Sequence, residues 1–206
     1  MARKGTDVPL ARSVLWDADG VLQHARVGWF ERLTAIGGEG FADAVFEAEL
    51  APLRGERPFR DAVAEVLQGR TLSVDADDVL SLWDDIDVDG AAFELIAQVR
   101  AAGTPCYLAT NQQDHRVRFM RETLGYDEHF DGVFYSSELG AMKPTPAYFE
   151  IVLDKLGIDA AATVFIDDSA ANIETASTLG IRAFRHDPAA GVAGLRRILG
   201  EAGVRT

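Results

Sequence analysis

The stretch Val14–Leu22, VLWDADGVL, is an apolar run that stops on Asp17-Ala18-Asp19-Gly20 and resumes at Val21. A short apolar run ending at a turn signal reads as a buried strand, here Ser13–Trp16. In extended backbone, residues i and i+2 point the same way, so Asp17 and Asp19 can face one substrate. Gly20 lets the chain turn sharply behind them. Working outward, the same kind of run recurs at Pro105–Ala109, Gly132–Tyr135, Thr163–Ile166 and Ile181–Phe184. Between these lie helical patterns at Asp114–Leu124, Pro146–Leu156 and Asn172–Leu179, with a closing helix near Ala189–Leu199. Strands alternating with helices of this length predict βαβ units and a parallel sheet, an α/β fold.

The first interval differs. From Val27 to Trp83 the pattern is helical, with amphipathic segments at Val27–Ile36, Phe41–Leu50, Phe59–Leu67 and Asp77–Trp83. Turn signals separate them at Gly37-Gly38, Arg54-Gly55 and Gly69-Arg70. The expectation is an all-helical cap over residues 24–88, inserted into an α/β core made of 1–23 and 89–206. Asp84–Gly90 reads as the return linker and Ala91–Ala101 as the first core helix.

The chain has 206 residues, 48% hydrophobic and 26% charged, enough apolar material for a packed core and too much for a disordered segment. A single cysteine, Cys106, excludes an internal disulfide and a Cys-rich zinc site, and suits a reducing compartment. No apolar run approaches the roughly 20 residues that span a bilayer, and the start MARKGTDVPLARS lacks the apolar stretch of a signal peptide. The expectation is a cytoplasmic protein with no membrane partner. A net charge of −13 with no basic stripe argues against nucleic acid. The basic residues are almost all arginine, with lysine only at 4, 143 and 155, so a lysine in a site is informative. The sequence carries no signal for an oligomeric state.

In an open parallel sheet, ligands bind beyond the carboxyl ends of the strands. After the first predicted strand come Asp17 and Asp19; after the second, Thr110 and Asn111; beyond the third, Lys143; after the fourth, Asp167 and Asp168. Mg²⁺ takes oxygen ligands, commonly one or two carboxylates plus water and substrate phosphate, which Asp17 and the Asp167–Asp168 pair can supply. Lys143 offers a point charge to a phosphoryl oxygen. Each group alone has a plain reading: an Asx turn, a strand-end cap, a loop lysine, a helix N-cap. Their joint placement at successive strand ends points to a Mg²⁺-dependent phosphate site.

The segments VLWDADGVL (Val14–Leu22), LATNQ (Leu108–Gln112), SSELGAMKPTPAYF (Ser136–Phe149) and VFIDDSAANIETASTLG (Val164–Gly180) resemble the haloacid-dehalogenase-like hydrolase superfamily, in its helical-cap phosphatase branch. The resemblance implies a three-layer Rossmann-like core with five parallel strands, the first at the centre of the order 5-4-1-2-3. It implies Asp17 as a nucleophile forming an aspartyl-phosphate. Asp19 becomes the acid–base residue, with its main-chain carbonyl on Mg²⁺. Thr110 and Asn111 hold the phosphoryl group and Lys143 neutralises it. Asp168 is implied as direct metal ligand with Asp167 behind it, an assignment the sequence leaves open by one residue. An aspartate at position 19 favours phosphate transfer over dehalogenation, and the absence of a cap lysine argues against phosphonate cleavage. The substrate implied is a small phosphorylated metabolite. The alternatives are a phosphosugar mutase on the same scaffold or a catalytically idle binding protein. A response-regulator receiver is set aside, because its acidic pair follows the first strand.

Other features have plainer readings. Asp85-Ile86-Asp87-Val88-Asp89-Gly90 matches half an EF-hand loop, but its twelfth position is Ile96, so it reads as an acidic linker with Asp89 capping a helix. Cys106 reads as a small core residue. His24 reads as a surface hairpin residue, with a flap over the site as the alternative. Trp29, Phe30, Phe46, Phe59 and Trp83 read as the cap's own core. Arg54, Arg57 and Arg60 read as a solvated helix face ahead of a binding site for an acidic substrate tail.

Overall fold

The computed structural model describes residues 11–206; the leaderless reading of the first residues falls largely on 1–10, which lie outside it. β1 (Ser13–Trp16) is buried at every position, as a strand covered on both faces of a parallel sheet must be. It pairs in parallel with β4 (Cys106–Thr110) on one side, Val14 opposite Cys106, and with β6 (Thr163–Asp167) on the other, Val14 opposite Val164. β5 (Gly132–Tyr135) and β7 (Arg182–Arg185) complete the sheet in the order β5-β4-β1-β6-β7. This is the expected order with the Asp17 strand at the centre, so the chain reverses direction across the sheet at the carboxyl end of β1.

Side-chain alternation divides the core into two layers. Val14 and Trp16 pack on one face with Leu108, Val164 and Ile166, under α5 (Gly90–Ala101) and α10 (Gly191–Glu201). Leu15, Ala109 and Phe165 pack on the other, under α8 (Pro146–Leu156) and α9 (Ala170–Thr178). Asp89 caps α5, accepting from the Ala91 and Ala92 N–H groups at 2.9 and 3.2 Å, as the linker reading requires.

Between β1 and α5 run α1 (Trp29–Gly37), α2 (Phe41–Leu53), α3 (Phe59–Leu67) and α4 (Ala76–Leu80), with a separate apolar cluster that includes Leu33, Phe41, Val45, Phe59, Val63, Val79 and Trp83. Phe59 and Trp83 are buried there as expected. Phe30 and Phe46 are instead 52% and 38% exposed and stack on each other at 6.4 Å. Helical spacing locates an apolar stripe without saying how far round the helix the neighbours reach. The return segment 84–90 is more than a linker. Ile86–Val88 forms β3, antiparallel to β2 (Gln23–Ala25), so a two-stranded ribbon joins the helical insertion to the sheet. Asp85 pairs with Arg26 and Arg32, and Asp87 with Arg26, which accounts for the acidic run without calcium. The expected helix Asp114–Leu124 is α6 (Asp114–Arg118) followed by a π-helical turn, Phe119–Thr123, closed by the Leu124 N–H on the Phe119 carbonyl at 3.2 Å. Cys106 is fully buried, and burial pushes its thiol up to about 12, so it is an inert core residue. No helix among the described residues is long and apolar enough to cross a membrane.

Candidate active site

Asp17 follows β1 directly, and its main chain still continues the sheet, donating to the Ile166 carbonyl at 3.0 Å. The side chain is thus fixed at the carboxyl edge, with Oδ1 accepting from the Ala18 N–H at 2.8 Å. Lys143 is buried beside it, with Nζ 2.8 Å from Asp17 Oδ1 and 2.6 Å from Asp167 Oδ2. Two carboxylates outweigh the burial that would otherwise lower it, so Lys143 is held as the ammonium. Burial pushes Asp17 upward, with Lys143 pulling the other way.

Asp167 and Asp168 are neighbours with different surroundings. Asp167 is fully buried at the end of β6 and accepts from Lys143 Nζ, from the Ser169 N–H at 2.7 Å, and from Asn172 Nδ2 at 3.0 and 2.9 Å. Its lone pairs are largely committed. Asp168 is half-buried, and burial together with Asp167 raises its pKa. One oxygen from each of Asp17, Asp167 and Asp168 lies within 4.8 Å of the others. Three carboxylates against one ammonium form an oxygen-rich, net-negative cluster that fits a hard divalent cation such as Mg²⁺, whose bonds to oxygen are about 2.1 Å.

Gly20 shapes this cluster. Its φ of 75° lies in the left-handed region, and a Cβ there would sit 2.3 Å from Asp168 Oδ2. Gly20→Ala is therefore expected to push Asp168 aside and raise the Mg²⁺ concentration for half-maximal activity about tenfold or more, read from a metal titration.

Asp19 leads away from Asp17 into a different set of contacts. Its Oδ1 accepts from Gln23 Nε2 at 2.9 Å and Arg116 Nη2 at 3.0 Å, and its Oδ2 from Gln112 Nε2 at 2.6 Å. Arg116, buried on α6, also donates Nη1 to the Trp83 carbonyl at 2.6 Å, joining Asp19 to the end of the helical insertion. Thr110 is buried at the end of β4, its hydroxyl accepting from Gln112 Nε2 at 3.3 Å. The Asn111 side chain has another task. Its Nδ2 donates to the Lys143 carbonyl at 2.8 Å and its Oδ1 accepts the Lys143 N–H at 2.9 Å. It thus pins the loop that carries the lysine.

Sequence reasoning missed Gln23, Arg116 and Glu49. Gln112 fell inside a quoted segment without a role. Glu49, on α2, is half-buried, and its Oε1 accepts from Trp83 Nε1 at 2.8 Å. Burial pushes it up to about 7, against the lowering by the indole N–H. With Asp19, Gly20, His24, Trp29, Trp83 and Arg116 it lines a cleft of about 350 Å³ between insertion and sheet. His24 is exposed on β2 at this mouth, as expected, but it sits in a ribbon with β3 formed across the insertion instead of a local hairpin, and it lines the cleft.

A larger cavity of about 550 Å³ lies between the α2–α3 loop and α6. It is away from the carboxylates, and charged side chains on its walls are paired, Arg57 with Glu65 and Arg121 with Glu138. Arg54 and Arg60 pair with Glu56 and Asp77, so the arginines of the insertion form the solvated face expected.

The haloacid dehalogenase-like hydrolase family model matches residues 11–180. A phosphoglycolate phosphatase of Rhodospirillum rubrum is 26% identical over 187 residues, which cover 84% of this chain and 78% of that one. The sesquiterpene phosphatase astK of Aspergillus oryzae is 30% identical over 93 residues, 45% of this chain and 47% of that one. The chain thus spans about half the length of that second relative. A HAD family enzyme of Bacteroides thetaiotaomicron, solved in complex with magnesium and inorganic phosphate, superposes with a TM-score of 0.73 at 23% identity. The match covers 85% of this chain and 94% of that one.

Proposed function

The chain belongs to the haloacid dehalogenase-like hydrolase family, and from that we propose that it is a Mg²⁺-dependent phosphomonoester hydrolase acting through a phosphorylated Asp17. What carries the proposal is one contact set: a buried Lys143 bridging Asp17 and Asp167, with Asp168 in the same carboxylate cluster. Such a cluster can present an aspartate oxygen to an electrophile while fixed positive charge waits for the oxygens around it.

Asp17 and Asp168, with the Asp19 main-chain carbonyl, would hold Mg²⁺, and Asp167 would orient Lys143 from behind. The ion when bound supplies positive charge that lessens repulsion between the phosphoryl oxygens and Asp17. An Asp17 oxygen attacks phosphorus, the bond to the leaving oxygen breaks, and Asp19 gives that oxygen a proton. Asp19 then takes a proton from water, whose oxygen attacks the phosphoryl group and frees Asp17 and inorganic phosphate. Lys143 and the Thr110 hydroxyl steady the transferring group, and Asn111 acts on it by holding the Lys143 loop. Arg116, Gln112 and Gln23 position Asp19 between these two tasks. Residues 24–88 serve as the cap over the cleft.

A mutase would need to hold a second phosphate of a bisphosphate beyond Asp19. The arginine lining that region, Arg116, is already committed to Asp19 and the Trp83 carbonyl, which favours the hydrolase. The test is phosphate release from p-nitrophenyl phosphate. Activity is expected with Mg²⁺ and should fall about 10²-fold or more on chelation with EDTA, returning on metal addition. Inactivity with metal across a panel of phosphorylated metabolites favours the mutase or the idle scaffold.

A further inference from the structure

We propose that the cleft beyond Asp19 takes a neutral, hydroxyl-bearing leaving group, so that the substrate is a sugar or polyol phosphate, and that Glu49 binds its hydroxyls while repelling a second acidic group. This rests on the phosphatase reading and narrows it.

The lining decides the chemistry. Trp29 and Trp83 stand edge to face at 5.0 Å, and both indole N–H groups are spent, on the Leu82 carbonyl and on Glu49. What the partly exposed Trp29 offers the cleft is ring surface, which packs on the C–H faces of a sugar ring, while Trp83, 5% exposed, backs it from the insertion's core. Glu49 forms no salt bridge among the described residues; its carboxyl accepts from the Trp83 indole and is drawn on by the Gln113 amide, and its remaining lone pairs can serve hydroxyls. The guanidinium in the lining, Arg116, is ion-paired to Asp19 and also donates to a main-chain carbonyl. A leaving group carrying its own carboxylate would therefore meet Asp19 and Glu49, with Arg116 already paired to Asp19 and His24, exposed at the mouth, as the other basic side chain of the lining. About 350 Å³ lies at the small end of ligand sites, enough for a monosaccharide.

The experiment measures kcat/KM of the full chain with Mg²⁺ near pH 8, above the value of about 7 to which burial pushes Glu49. The probes are glucose 6-phosphate, ribose 5-phosphate and glycerol 1-phosphate against phosphoglycolate, with p-nitrophenyl phosphate alongside. The best neutral ester should exceed phosphoglycolate by about tenfold or more. Glu49→Gln, which retains an oxygen for the Trp83 indole, should shrink that ratio by lowering the neutral ester and raising phosphoglycolate. Preference for phosphoglycolate in the unmodified chain overturns this inference alone, as does an unchanged ratio in a folded Glu49→Gln variant. Failure to turn over even p-nitrophenyl phosphate overturns the phosphatase reading, and this inference with it.

Discussion

Asp17→Asn is expected to reduce phosphate release by about 10⁵-fold or to background, the largest effect of any single substitution in the chain. Three losses coincide at this position. An amide is not a nucleophile toward phosphorus, so the covalent route closes. The amide is also a poorer ligand than a carboxylate for a hard cation. Finally, Lys143 loses one of its two anionic partners while remaining buried against Asp167. The fold should survive, because asparagine keeps the shape and Lys143 keeps its 2.6 Å contact with Asp167. Circular dichroism with steady-state kinetics checks this: a folded, inactive variant is the expected outcome, and appreciable activity would remove Asp17 from the role of nucleophile.

Asp19→Asn should be next in size, lowering kcat by about 10²–10⁴-fold, the usual worth of general acid–base catalysis. Its side chain lies outside the Asp17–Lys143–Asp167–Asp168 cluster and its expected metal contact is a main-chain carbonyl, so binding of metal and substrate should be largely retained. The loss should therefore appear in kcat more than in KM. In kcat/KM, which reports the first displacement, the loss should be smaller for p-nitrophenyl phosphate, whose leaving group needs little protonation, than for a sugar phosphate. Equal losses for both would mean that Asp19 does not protonate the leaving oxygen.

The frame of the molecule was legible because it follows from local rules. β1 is four buried residues, three of them apolar, ending at a turn, and period-two alternation sends Val14 and Trp16 one way and Leu15 the other. Parallel topology then places whatever follows each strand on one edge, which is why Asp17, Lys143, Asp167 and Asp168 meet although up to 151 positions separate them. The β2–β3 ribbon was not legible: its strands, Gln23-His24-Ala25 and Ile86-Asp87-Val88, are three residues each, too short for an alternation to stand out from an acidic loop. Glu49 and Arg116 were invisible for another reason. Each looks like an ordinary charged helix residue, and its character comes from tertiary contacts, Trp83 against one and Asp19 with the Trp83 carbonyl against the other. Asn111 shows the same limit in reverse, since its position after β4 was plain but not that its amide would be taken by the main chain of Lys143.

The central claim is a covalent phosphoryl group on Asp17, and Asp19→Asn is the variant in which it can be seen. With an activated substrate the first displacement should proceed while hydrolysis of the intermediate stalls for want of a base. Protein mixed with p-nitrophenyl phosphate and Mg²⁺, quenched rapidly in acid and examined by mass spectrometry, should carry an added mass of about 80 Da, located on the peptide containing Asp17. No added mass together with full steady-state activity, or a phosphate on any other residue, would contradict the account.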